Sequence, residues 1–294
     1  MHVLVTGATG FVGSRLVDPL IEAGHEVRVF VRDAADYRGP REAEIYEGDL
    51  LEPETISPAL EGIDAAYYLV HSMSSGDEFE EMDRKLASNV RDAVSESDTD
   101  RVIYLGGLGD EKDDLSGHLR SRREVEYILE EGEYDLTALR AAVIIGDEST
   151  SFELMEQLAS RLPVMITPRW VRTDCQPIAI DNVIAYLVGV LETPETASKT
   201  LEIGGPEVLT YQSMMHTVSD FLGKSLYILP VPVLTPRLSA YWVALVTDVP
   251  REVAYPLTSG LKNPVVVTDD RIREYLPIDL TSFETAVEQA LESG

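Results

Sequence analysis

The sequence predicts an α/β fold: a doubly wound parallel sheet with a small, mainly helical C-terminal lobe. Three observations carry this. Short apolar strands alternate with helix-periodic segments as far as residue 145; a glycine-rich turn joins the first strand to the first helix; and beyond Gly146 the pattern loosens into helices and proline-containing loops. Strands that alternate with helices imply parallel pairing through right-handed crossovers.

Each element has its own signal. Residues 2–5 form an apolar run, and 11–23 are apolar at helical spacing until Gly24 closes them. Residues 26–32 alternate as a strand, 44–46 form a third strand leading to Gly48-Asp49-Leu50, and 65–70 read as a buried fourth. Phe79, Met82, Leu86, Val90 and Ala93 recur at three- and four-residue spacing, with Ser75 and Glu78 as a candidate capping box. Residues 101–105 read as the fifth strand, 125–129 end another helix, and 136–145 form the sixth strand. Pro19 conflicts locally with the first helix, where it removes a hydrogen bond and adds a kink. Residues 151–174 read as a helix and a Pro/Arg-rich loop, 177–191 as a strand entry and helix, and 200–203 as one more strand. The expected division is a sheet domain of 1–150 plus 175–205 and a discontinuous lobe of 151–174 plus 206–294.

Composition excludes several functions. Among 294 residues, 24 Lys+Arg face 52 Asp+Glu, a net charge of −28. Only Lys85, Lys112, Lys199, Lys224 and Lys262 are lysine. A lysine-poor acid excess suits a surface kept hydrated in concentrated salt, where the Debye length falls to about 3 Å at 1 M. It points to a salty cytoplasm such as that of halophilic archaea, with an ordinary acidic enzyme as the plainer alternative. Nucleic acid is excluded as a partner, because phosphate binding needs a basic face. Cys175 is the single cysteine, which rules out an internal disulfide and a cysteine-based metal cluster; no metal site is expected. The longest apolar stretch, 231–249, is interrupted by Pro232, Pro236, Arg237 and Asp248 and falls short of a membrane span. Met1 leads directly into an apolar strand rather than a basic leader. A cytoplasmic protein without a membrane span is expected, its oligomeric state left open.

Thr6-Gly7-Ala8-Thr9-Gly10-Phe11-Val12-Gly13 spaces its glycines as G-x-x-G-x-x-G. Gly7 permits a tight turn, Gly10 lets the backbone approach a pyrophosphate, and Gly13 lets helix and strand pack closely. The helix N-terminus meanwhile offers free N–H groups to the anion. A purely structural turn is the alternative, but the βαβ context is complete. Cofactor contacts are therefore expected at Gly7, Thr9, Gly10, Phe11, Val12 and Gly13. At the end of the second strand Val31 occupies the position of the acid that holds an NAD ribose, and Arg32 follows. Arg32 favours the 2′-phosphate of NADP(H). Asp33 keeps NAD(H) open, and a solvated loop charge is the plain reading of Arg32.

These motifs resemble the short-chain dehydrogenase/reductase superfamily, more narrowly its extended and atypical branch, which includes NmrA-like proteins and sugar-nucleotide epimerases. Gly48-Asp49-Leu50 matches that branch's adenine-contacting Asp, and Asn89 stands at its helix-four Asn. Thr137-Ala138-Leu139-Arg140 through Gly146 matches the strand that leads into the substrate lobe, with Ala141 where Pro is common. Pro177-Ile178-Ala179-Ile180-Asp181-Asn182-Val183 resembles the later strand-to-helix junction. The resemblance covers roughly 1–205 and implies a Rossmann-type fold, with Asp49, Leu50 and His71 added to the cofactor contacts.

The family's reductases and epimerases use a Ser at the end of the fifth strand and a Tyr-x-x-x-Lys. Here Gly106-Gly107 stands where Ser is expected, and His118 and Arg122 hold the Tyr and Lys spacing. Arginine stays cationic and anchors ribose or phosphate without shuttling a proton. His118 could serve as acid or base near neutral pH, a surface histidine near a helix start being the alternative. His118, Arg122 and Asn89 are the catalytic candidates. Ser72, Ser116 and Ser121 could supply a hydroxyl, without a motif to support them, and Tyr104 reads as core. Arg120, Arg122 and Arg123 crowd a helix start against its dipole, which suggests a nearby anion. Arg169, Trp170 and Arg172 form a second basic-aromatic cluster, where the family places substrate contacts. Salt bridges to the abundant acids explain either cluster equally well.

The resulting expectation is an NADP(H)-preferring atypical oxidoreductase acting on a small substrate, an anion among the candidates. The missing Ser, Tyr and Lys keep a second expectation alive: a non-catalytic NADP(H)-binding redox sensor or assembly protein. NmrA-like regulators and the related accessory subunit of respiratory complex I are its precedent. A sugar-nucleotide epimerase or dehydratase is the third.

Overall fold

Seven parallel strands form the central sheet of the computed structural model. The structure describes residues 1–71, 77–109, 115–231, 246–248 and 261–293, without the side chains of Asp77, Glu78, Arg169, Trp170 and Val231. The strands are β1 (His2–Thr6), β2 (Glu26–Val31), β3 (Glu44–Glu47), β4 (Ala65–Tyr68), β5 (Arg101–Gly107), β6 (Asp135–Ala141) and β11 (Lys199–Ile203). Their order is β11-β6-β5-β4-β1-β2-β3.

Alternation of side chains sorts the sheet into two apolar faces. Val3, Val5, Tyr67 and Ile103 pack with α1 (Phe11–Glu22) and α6 (Ile180–Glu192). Leu4, Tyr68, Val102 and Tyr104 pack on the other side with α2 (Pro53–Ala59), α3 (Asp77–Ser95) and α4 (Gly117–Glu130). Helix α1 runs through Pro19, and the Ala23 N–H still donates to the Pro19 carbonyl at 2.9 Å. Proline therefore removes a single donor, near the helix end. Ser75 of the proposed capping box lies outside the described residues, as do Ser72 and the Glu78 side chain.

The expected single strand over 136–145 is broken in two. β6 ends at Ala141, whose carbonyl accepts from the Leu108 N–H at 2.8 Å. The chain then leaves the sheet as β7 (Ile144–Ile145), which pairs in parallel with β10 (Ile178–Ala179). This departure carries the backbone into the lobe. There α5 (Thr150–Arg161), α7 (Tyr211–Phe221) and the C-terminal helix Phe283–Ser293 share a separate core that includes Phe152, Met214, Val218 and Val287. β8 (Val164–Pro168) pairs in parallel with β13 (Tyr227–Val231), and β9 (Asp174–Cys175) antiparallel with β12 (Leu209–Thr210).

After this excursion β11 returns to pair with β6 and completes the sheet. Beside it, the buried Arg101 donates to Thr137 Oγ1 at 3.0 Å and to Thr196 Oγ1 at 2.7 Å. Most of the apolar stretch 231–249 lies outside the described residues. Among those described, no helix is long and apolar enough to cross a membrane.

Candidate functional site

The strand order reverses between β1 and β4, and open α/β sheets bind ligands in the crevice beyond the carboxyl ends of such strands. A cleft of about 330 Å³ lies there, within the usual size range of small-molecule sites. One wall is the glycine turn, with Gly7, Gly10, Phe11, Val12 and Gly13. The floor is formed by Leu69, His71 and residues 105–108, flanked by His118, Leu119 and Arg122 of α4. The far wall comes from the lobe, with Leu154, Met155 and Leu158 of α5 and Tyr211 and Met215 of α7.

The turn's geometry requires its glycines. Gly7 sits at φ +73°, and a Cβ there would lie 2.9 Å from the Leu69 carbonyl oxygen. At Gly13 a Cβ would lie 2.2 Å from the Gly7 carbonyl oxygen, so no side chain fits between strand and helix. Helix α1 begins without a side-chain cap or an acid in its first turn. Its leading amides face the crevice with their partial positive charge uncancelled, which suits a diphosphate. A dinucleotide therefore fits the residues present. Thr9 is exposed at the tip of the turn rather than in the wall.

The outer positions expected to meet the cofactor lie beyond the cleft wall. Arg32 is exposed at the end of β2 and makes no ion pair among the described residues. Asp33 Oδ1 accepts from the Ala35 N–H at 2.8 Å and so caps the short turn Ala34–Asp36. Asp49 Oδ1 accepts from the Leu51 N–H at 2.9 Å. Asn89, expected among the catalytic residues, donates from Nδ2 to the Leu50 carbonyl at 2.7 Å. It holds the Asp49-Leu50 loop in place from outside the cleft.

At the centre, the His71 and His118 rings stand 6.4 Å apart at 67°. Burial pushes the His71 pKa well below its ordinary value, with the Arg122 charge and His118 acting in the same direction. Burial, and then Arg122, push His118 down to about 3. Both rings are neutral at physiological pH, so His118 is a hydrogen-bonding imidazole there rather than an imidazolium acid. Arg122 reaches the Leu105 carbonyl with Nη1 at 3.5 Å, while its Nε is buried without a partner.

The arginine cluster divides by helix phase. Arg120 pairs with Glu80 at 3.1 Å, and Arg123 donates to the Gly109 carbonyl at 2.9 Å. Of the three, Arg122 alone lines the cleft. Ser116 caps α4, accepting from the Leu119 N–H at 3.4 Å, and Ser121 donates to Asp83 Oδ2 at 2.9 Å. Both hydroxyls are committed to the scaffold. Tyr104 is core, its hydroxyl donating to the Arg122 carbonyl at 3.0 Å. A Cβ at Gly107 would lie 3.0 Å from Leu119 Cδ2, so Leu119 crowds the place where the family carries Ser. Arg169 and Trp170 lie in the short turn Arg169–Arg172, their side chains outside the described residues. Arg172 is exposed and off the cleft wall. Sequence reasoning missed the apolar far wall, although the Leu154 and Leu158 spacing signalled a buried helical stripe. Behind it the Cys175 thiol interacts with Tyr211, and burial pushes the thiol up to about 11.

Comparison with known proteins agrees with this geometry. A family model described as NAD(P)H-binding matches residues 7–169, more than half of the chain. The chain belongs to that NAD(P)H-binding family, as the short-chain dehydrogenase/reductase resemblance implied. It is 23% identical over 245 residues to the photosystem II assembly factor Ycf39 of Trieres chinensis, covering 81% of this chain and 74% of that one. It is 24% identical over 226 residues to the mitochondrial NADH dehydrogenase [ubiquinone] 1 alpha subcomplex subunit 9 of Dictyostelium discoideum. That match covers 74% of this chain and 62% of the subunit's length. The NADPH-dependent quinone oxidoreductase QOR2 of Escherichia coli, solved with NADPH, shares the fold with a TM-score of 0.79 at 16% identity. The alignment covers 98% of this chain and 99% of that one.

Proposed function

We propose that this protein is an oxidoreductase that binds NADP(H) in preference to NAD(H) and moves a hydride to or from a small organic substrate. The observation that carries this reading is continuity: the glycine turn and the lobe's apolar wall bound one cleft, with His118 and Arg122 between them. The turn takes the diphosphate, Arg32 the 2′-phosphate, and the Asp49-Leu50 loop the adenine side. A bound nicotinamide supplies the hydride chemistry. Arg122 holds a permanent positive charge beside the reacting oxygen, and His118 donates a neutral N–H to it. Neither group replaces a strong proton donor. The substrates that suit such a pair are conjugated carbonyls, quinones among them, whose reduced anion is stable enough to take its proton from water. The quinone oxidoreductase of similar fold supports this choice.

A second reading is a binding-only redox sensor or assembly protein. The lack of Ser, Tyr and Lys at the family's positions favours it, as does the similarity to an assembly factor. Anaerobic titration with NADPH and NADH, followed by mixing with quinones and enones, separates the two. We expect NADPH to bind roughly tenfold more tightly than NADH, a margin of about 1.4 kcal/mol, and to be oxidised in proportion to protein. Tight binding with no oxidation across the panel selects the sensor, and no binding at all overturns both.

A further inference from the structure

We infer that the lobe half of the cleft takes an elongated, uncharged, largely hydrocarbon molecule carrying one oxygen function at its head. The inference rests on the oxidoreductase reading above, because it assigns the glycine-turn end to the dinucleotide. Its own basis is how the polar groups are distributed along the cleft wall. The Ser149 hydroxyl donates to the Ile144 carbonyl at 2.8 Å. Thr150 and Ser151 occupy the first turn of α5, and the residues just before it are drawn against α1 by Arg15. That guanidinium lies 2.8 Å from the Asp147 carboxylate and 3.1 Å from Glu148. The first turn of α5 thus follows directly on residues tied to the helix behind the glycine turn, and we place these hydroxyls at the dinucleotide end.

Past that first turn, the wall becomes hydrocarbon. Leu154, Met155 and Leu158 line it together with Met215 and Leu119, and the Tyr211 hydroxyl interacts with the Cys175 thiol. Apart from Tyr211, the side chains of the described cleft lining left to meet a substrate oxygen are His71, His118 and Arg122, at one end. A sugar or polyol buried against the other end would strand its hydroxyls, each at a cost of roughly tenfold in affinity. An alkyl or isoprenoid chain instead gains about fourfold for each buried methylene, and the two methionines let the wall adjust to its shape.

The test is calorimetry on the full chain, saturated with NADP⁺ in concentrated KCl, against straight-chain methyl ketones of rising length and against UDP-glucose. We expect one ketone site per chain, a Kd that falls about threefold to fourfold per methylene until the cleft is full, and no heat from UDP-glucose. A Kd independent of chain length, or UDP-glucose binding more tightly than the ketones, overturns the inference. The ketone series is repeated without dinucleotide. If NADP⁺ gives no heat the oxidoreductase reading fails, and the length dependence in that second series still decides the present inference.

Discussion

The two walls of the cleft are made of different material. The wall near β1 is mostly backbone, with Phe11 and Val12 beside it: glycines whose missing side chains let a turn close to within van der Waals distance, and helix amides that point outward. The wall contributed by the lobe is side chain: leucines and methionines from α5 and α7. A backbone wall recognises charge, at fixed positions, and tolerates almost no substitution. A side-chain wall recognises shape and area, and one residue can be exchanged for another of similar volume. The first should be shared by proteins that hold the same cofactor on this fold, while the second is free to follow the substrate.

That contrast breaks first at Gly13. Replacing it with valine would force a side chain into the 2.2 Å gap before the Gly7 carbonyl. We expect a loss of about 3 kcal/mol in stability by overpacking. Dinucleotide affinity should fall roughly a hundredfold as the displaced turn loses two amide bonds to phosphate. Calorimetry and denaturant unfolding measure the two effects separately, and unchanged NADP⁺ binding would mean that the turn is not the cradle.

The next effect lies between the walls. With a folded pKa of about 3 against an ordinary 6.5, His118 takes up its proton later in the folded protein than in the unfolded chain. The stability it contributes is full above pH 6.5 and drains away as the pH falls from there toward 3. The slope approaches about 1.4 kcal/mol per pH unit for one proton. His71 acts in the same direction. Urea unfolding of His118→Gln at pH 7 and pH 5 should show a shallower loss than the parent, and parallel curves would refute the burial of a neutral ring.

The smallest effect sharpens the outer edge of the backbone wall. Arg32→Ser should weaken NADP⁺ about tenfold, the worth of one charged hydrogen bond, and leave NAD⁺ within about twofold. Equal losses for both dinucleotides would remove Arg32 from the 2′-phosphate and return it to the role of a solvated loop charge.

How much of this could be read in advance follows the same division. The glycine spacing was legible because each glycine answers a steric demand within a few residues of itself. The break after Ala141 was not, since residues 136–145 are continuously suited to a strand. What ends β6 is a partner some 35 residues on, β10, which captures Ile144 and Ile145. The arginines of α4 were legible as a cluster but not by destination. Residues one apart on a helix point about 100° apart, so Arg120, Arg122 and Arg123 reach a surface acid, the cleft and a backbone carbonyl. Asn89 kept its place but showed its use only through a carbonyl 39 residues away.

The late return of β11 has a consequence for how the chain comes into being. Synthesis proceeds from the amino end, so β6 waits at a bare flank, its outward N–H and C=O groups unmatched, while the whole of 142–198 leaves the ribosome. The hydroxyl of Thr196 that receives the Arg101 guanidinium emerges in that same final stretch. A nascent chain halted before residue 196 therefore displays both an adhesive strand edge and a sequestered cation short of an acceptor. Such a species invites pairing with its neighbours, and the last few residues of the sheet act as its seal.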